Sequence, residues 1–157
     1  GLILVAHSKS MTAALSRLFR ERQVEKRYRA VVAGDFSKQP DPLRVESPVD
    51  EKDAVSHFSM VEVSDDRSRS MVDVRIETGR KHQIRRHLAE SGYPIIGDRL
   101  YGSGVADGVD LQLTANLLAF HCPVSDRRVE YRLGDEWLPR LTVTSTGAAS
   151  AGQSSTP

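Results

Sequence analysis

The sequence predicts an α+β fold built on a mainly antiparallel, mixed sheet with flanking helices, and three observations point that way. Segments in which apolar and polar residues alternate outnumber segments with helical spacing. Several of the alternating segments are consecutive, and the polar Ser64-Asp65-Asp66-Arg67 joins two of them in the manner of a hairpin. The regular strand–helix alternation that a doubly wound nucleotide fold requires is missing. At 157 residues the chain suffices for one buried core and falls short of two.

The elements follow in order. Gly1 to His7 is an apolar run suited to a buried strand, and Ser8 and Ser10 stand ready to cap a helix. Met11, Ala14, Leu15, Leu18 and Phe19 then recur along one helical face, with Arg17, Arg20, Glu21 and Arg22 mostly on the other. Tyr28, Ala30 and Val32 alternate with Arg27, Arg29 and Val31, which predicts a strand with Tyr28 turned away from the arginines; Gly34-Asp35 ends it. Three prolines between Ser37 and Pro48 interrupt regular structure, leaving Leu43 to Glu46 as a short edge strand. Ala54 to Val63 and Ser70 to Thr78 read as strands, the second with Val72, Val74 and Ile76 opposite to Asp73, Arg75 and Glu77. His82 to Glu90 reads as a helix closed by Gly92. Gly97, Gly102, Gly104 and Gly108 mark a loop-rich stretch, Leu117 to Cys122 and Arg127 to Leu133 are strands, and Asp135 to Leu138 starts a short last helix. Residues 142–157 carry no charge and are rich in small polar side chains, as a disordered tail would be.

Composition narrows the function classes. No apolar run approaches the roughly 20 residues of a membrane helix, so a cytoplasmic protein without a membrane partner is expected. Cys122 is the single cysteine and lies in an apolar stretch, where a buried inert thiol is expected rather than a nucleophile. His82 and His87 are placed on different helix faces, which disfavours a metal pair, and His7, His57 and His121 read as hydrogen-bonded structural residues. The net charge of +1 announces no polyanion partner globally, but Arg17, Arg20, Arg22, Lys26, Arg27 and Arg29 cluster, as do Arg80, Lys81, Arg85 and Arg86.

The segment Glu77-Thr-Gly-Arg-Lys-His-Gln-Ile-Arg-Arg-His-Leu turns a strand through Gly79 into a helix loaded with hydrogen-bond donors, a corner suited to phosphate or carboxylate. It resembles the Thr-Gly-Arg-x-His-Gln-Ile-Arg-x-His motif of the RluA family of pseudouridine synthases. Lys26-Arg-Tyr-Arg-Ala, Ala54-Val-Ser-His-Phe and Pro94-Ile-Ile-Gly-Asp-Arg-Leu-Tyr-Gly resemble further elements of that family in the same order. Leu118 to Cys122 resembles its Leu-x-Leu-His-Ala element, with departures at Phe120 and Cys122. Such ordered agreement is far more specific than one short pattern.

The resemblance implies an RNA-modifying isomerase that converts uridine to pseudouridine without metal or redox cofactor. Tyr28 matches the active-site tyrosine that packs on the flipped base, and Arg85 the arginine that orients a catalytic aspartate. Ile84 would supply apolar pocket wall, while Arg80, Lys81 and Arg86 are read as phosphate contacts. The family's aspartate lies in His-Arg-Leu-Asp ahead of an apolar strand that Gly1-Leu-Ile-Leu-Val-Ala resembles, so residues 1–141 are expected to be the C-terminal part of an incomplete catalytic domain. Asp98 is read as a loop residue rather than a substitute catalyst. Arg85 should therefore be solvated, bound to an anion, or paired with another acid. The expected partner is ribosomal or transfer RNA, with no obligate protein partner inferred. The alternative is a module that binds RNA without modifying it.

Overall fold

A computed structural model describes residues 1–102 and 108–141. In chain order the regular elements are α1 (Lys9–Arg20), β1 (Glu25–Ala33), β2 (Leu43–Glu46), β3 (Val55–Val63), β4 (Arg69–Ile76), α2 (Gln83–Glu90), β5 (Leu113–His121) and β6 (Arg128–Arg132). The strands form one six-stranded sheet in the order β2-β3-β4-β1-β5-β6, with every neighbouring pair antiparallel. The expected α+β class is found, and β2 lies at the sheet edge, as its proline-rich flanks require.

Both helices cover the same face of the sheet. Residues opposite one another in a ladder share a face, so Val72 and Val74 lie on the side of their β1 partners Ala30 and Tyr28, and Leu118 on the side of Lys26. Ile84 and Leu88 of α2 pack there with Ala30, Val32, Phe36, Phe58, Val72, Val74 and Ile95. Each Val, Leu, Ile or Phe among them removed from water contributes about 1.5–3 kcal/mol. Leu15 of α1 joins Val24, Leu118 and Phe120 in a second cluster flanked by Leu2, Leu4, Ala6, Met11 and Leu18. The opposite face carries Arg27, Arg29, Asp73 and Arg75, with Arg29 forked onto its cross-strand neighbour Asp73 at 2.7 and 3.0 Å.

Strand β5 reaches both clusters through a bulge. Arg27 pairs with Leu117 and the next residue, Tyr28, with Ala115, so Asn116 is an extra residue in β5. Leu113 packs against the first cluster and Leu118 belongs to the second.

Other expectations need correction. Gly1–His7 is not a strand of the sheet: Leu2 donates one backbone bond to Ala115, and Leu2, Leu4 and Ala6 face inward while Ile3 and Val5 are exposed. Ser8 is the cap of α1, its Oγ accepting from the Met11 N–H at 3.2 Å, whereas Ser10 already lies within the helix. Helix α2 begins at Gln83 because His82 takes a left-handed conformation, with φ 55°. Strand β5 starts earlier than expected, at Leu113, and the last helix is a single 3-10 turn, Asp135–Trp137. Of His7, His57 and His121, His57 is hydrogen-bonded, to Glu77 at 2.6 Å, while His7 and His121 are exposed. Cys122 is half-buried, and hydrogen bonding from Ser125 lowers its thiol pKa. The expected tail, 142–157, and Gly104 lie outside the described residues. Among the described residues no helix is long and apolar enough to cross a membrane, and no three His, Cys, Asp or Glu residues gather as a metal site.

Candidate active site

The segment from Thr78 to His87 carries two sets of side chains with different tasks. Thr78, Gln83 and His87 turn into the protein and tie the segment to β3. The Val55 N–H donates to Thr78 Oγ1 at 3.0 Å, and the Thr78 hydroxyl donates to Gln83 Oε1 at 2.7 Å. That oxygen also accepts the Arg80 N–H at 3.0 Å, while Gln83 Nε2 donates to the Val55 carbonyl and to Ser56 Oγ. His87 is fully buried, with Nδ1 3.0 Å from Ser56 Oγ and Nε2 3.1 Å from the Ser47 carbonyl. A carbonyl can only accept, so Nε2 carries the proton and Nδ1 accepts from Ser56. Every buried polar atom of these three side chains is thereby partnered, which fixes the helix to the sheet without leaving a desolvated donor.

The second set opens onto a cleft of about 780 Å³ between α2, β1 and the end of α1. Tyr28, Ile76 and Leu113 form its sheet side, Ile84 and Arg85 one wall, and Phe19, Arg20 and Arg22 the other. Arg80 also lines it, its Nε donating to the Asp53 carbonyl at 3.1 Å. The predicted residues Tyr28, Arg85, Ile84 and Arg80 thus share one site. Lys81 is exposed beyond the lining, and Arg86 points elsewhere, with Nη1 2.7 Å from Asp50 Oδ1.

Electrostatics suit the cleft to an anion with a planar apolar part. Among the described residues Arg20, Arg22, Lys26, Arg80 and Arg85 line it against a single carboxylate, Glu77, which His57 and Arg75 already engage. Among the described residues Arg20, Arg22 and Lys26 make no ion pair. Burial lowers the Lys26 ammonium pKa, and its Nζ sits 5.6 Å from the Phe19 ring centroid. Gly79 leaves room for it: a Cβ there would stand 3.1 Å from Nζ. Lys26 alternates with Tyr28 along β1, and that spacing is the sequence signal for its place in the cleft. Burial also raises the Tyr28 phenol pKa, keeping the ring neutral.

Arg85 is paired with an acid, one of the three expected outcomes, and that acid is Asp98. Nε donates to Oδ2 at 2.8 Å and Nη2 to Oδ1 at 2.6 Å, a two-bond fork. Burial pushes the Asp98 carboxyl up, but the Arg85 fork and the Leu100 and Tyr101 N–H groups outweigh it and hold the carboxyl below the usual carboxylate range. Sequence spacing gave no sign of this pair, which depends on the turn after Ile96.

Residues 1–90 match the RNA pseudouridylate synthase family. The chain is 34% identical over 151 residues to an uncharacterized RNA pseudouridine synthase of Mycobacterium bovis, covering 83% of this chain and 47% of that protein. It is 32% identical over 155 residues to the ribosomal large subunit pseudouridine synthase D of Zymomonas mobilis, covering 83% of this chain and 48% of that one. The structure of human RNA Pseudouridylate Synthase Domain Containing 1 aligns with a TM-score of 0.70 at 25% identity, over 86% of this chain and 64% of that chain. The chain spans about half the length of the curated relatives it matches.

Proposed function

The chain belongs to the RluA-type family of RNA pseudouridylate synthases, and on that premise we propose that the complete polypeptide isomerises uridine to pseudouridine in structured RNA, working in the cytoplasm. One observation carries the reading. Tyr28 and Arg85, which match the family's active-site tyrosine and arginine, open onto the same basic cleft.

The reaction breaks the bond between ribose C1′ and the uracil nitrogen, turns the base, and rejoins C1′ to a ring carbon, which loses its proton while the freed nitrogen gains one. The base must first leave its stack, at a cost of a few kcal/mol that the pocket offsets. Tyr28 packs on the extruded ring beside Ile84, and its neutral phenol adds no charge against the base. Arg20, Arg22, Lys26 and Arg80 hold the flanking phosphates. Arg85 keeps a reacting carboxylate ionised and aimed at C1′. Among the described residues the one carboxylate lining the cleft, Glu77, is already engaged by His57 and Arg75, so we take the reacting carboxylate to be that of the family's His-Arg-Leu-Asp motif, outside these 157 residues, which by themselves leave uridine unchanged.

The test is pseudouridine detection by carbodiimide-dependent primer extension on transcribed RNA, with the complete polypeptide and with the 157-residue chain. The printed name of the Zymomonas relative makes large-subunit ribosomal RNA the first substrate to try, and transfer RNA the second. Modification by the complete polypeptide alone is expected. Turnover by the 157-residue chain would refute the external carboxylate, and binding without turnover by both would favour the RNA-binding module.

A further inference from the structure

We propose that Asp98 is a positioning residue, holding the Arg85 guanidinium from behind the cleft wall by its Nε–Nη2 edge so that the Nη1 end meets an incoming second carboxylate at a fixed angle. The role of that second carboxylate rests on the pseudouridine synthase reading above; the holding of Arg85 does not.

The two partners differ in access. The Asp98 side chain is 0% exposed and does not line the cleft, whereas that of Arg85 is 15% exposed and does. Asp98 is saturated where it lies. Its Oδ2 accepts from Arg85 Nε, and its Oδ1 from Arg85 Nη2 and from the N–H groups of Leu100 and Tyr101 at 2.9 and 3.0 Å. A carboxylate so held is a poor nucleophile and a good anchor. Arg85, by contrast, keeps donors in reserve, since Nη1 makes no hydrogen bond among the described residues and a guanidinium has five N–H bonds to give.

The surrounding turn prevents the pair from swinging. The Tyr101 ring lies against the guanidinium, with Cζ 5.1 Å from its centroid. The Tyr101 hydroxyl is 3.1 Å from Nδ1 of His82, which ties the turn back to the start of α2. Gly102 closes the turn where a Cβ would come within 2.6 Å of the Asp98 carbonyl oxygen. Asp98 is therefore built in as standing support, not borrowed by Arg85 for want of another acid. A guanidinium fixed along one edge loses little freedom when its other end is engaged, which is how a supporting shell sharpens a reacting group.

The test is a double-mutant cycle in the complete polypeptide, with single-turnover rate and RNA affinity measured for wild type, Asp98→Asn, Arg85→Lys and the double variant. Asparagine keeps the volume and can still accept from the backbone turn, but loses the charged fork. Asp98→Asn is expected to slow turnover by about 10–100-fold with RNA affinity within about threefold, as for other supporting partners. In the Arg85→Lys background the same change should cost less than about threefold, because Asp98 acts through Arg85. An active wild type with an equal Asp98→Asn loss in both backgrounds, or with none in either, overturns the positioning role alone. A complete wild-type polypeptide that makes no pseudouridine overturns the activity reading instead, and with it the second carboxylate.

Discussion

Gln83 and His87 share one hydroxyl: the Gln83 amide donates to Ser56 Oγ at 3.0 Å, and the same oxygen lies 3.0 Å from Nδ1 of His87. One serine of β3 thus joins both ends of the first turn of α2, beneath a cleft that Gln83 also lines and Ser56 and His87 do not.

Replacing Gln83 with methionine keeps the volume but strips Thr78 Oγ1, the Arg80 N–H and Ser56 of a buried partner. The expected loss is about 2–4 kcal/mol of unfolding free energy, measured by urea denaturation. A change under about 0.5 kcal/mol would mean that the network does not hold the helix.

Tyr28 should titrate late. Its folded pKa is raised by burial, so the neutral ring contributes stability that is intact below the unfolded value of about 10 and fades as pH climbs through the folded one. The absorbance difference at 295 nm between wild type and Tyr28→Phe should have its midpoint above that of free tyrosine. A midpoint at or below it removes the buried-phenol account.

Arg85→Lys in the complete polypeptide should cut single-turnover rate by at least about 100-fold while RNA affinity stays within about threefold, because an ammonium cannot form the planar fork. Equal losses in rate and affinity would make Arg85 a phosphate contact.

The basic residues around α2 should separate by salt dependence. Lys81 is exposed, and Lys81→Ala should lower the slope of log K against log salt by about one. Arg86 is engaged by Asp50, so Arg86→Ala should leave the slope unchanged. The reverse pattern would exchange their roles.

Acid should expose Asp98. Its depressed folded pKa gives stability that is present above the unfolded value of about 3.9 and lost as pH falls through the folded one. The stability gap between wild type and Asp98→Asn, followed by thermal melts from pH 6 to pH 2.5 or so, should shrink over the acid end of that range. A gap that stays constant would show that the carboxylate charge does not matter.

Where local pattern decides the structure, the sequence was readable. The apolar stripe from Met11 to Phe19 became α1, and the alternation around Tyr28 put it on the helix side of β1. Tyr28, Ile84, Arg80 and Arg85 line one cleft. Long-range geometry was not readable. Arg86 and Lys81 have similar sequence surroundings and differ in the Asp50 carboxylate that reaches Arg86, and Asp98 is the loop residue expected, but nothing local links it to Arg85. The apolar run at Gly1–His7 suggested a sheet strand, yet only Leu2 finds a backbone partner in β5.

The bulge in β5 has a consequence for how the chain tolerates change. Leu113 and Leu118 stand at positions of opposite parity, and a regular strand would send one of them to the solvent side. Asn116 absorbs the mismatch, with its Oδ1 buried and unpartnered among the described residues. Removing that single residue would force a choice between the sheet side of the cleft and the seat of α1, so the two halves of the front face depend on one asparagine that does not line the cleft.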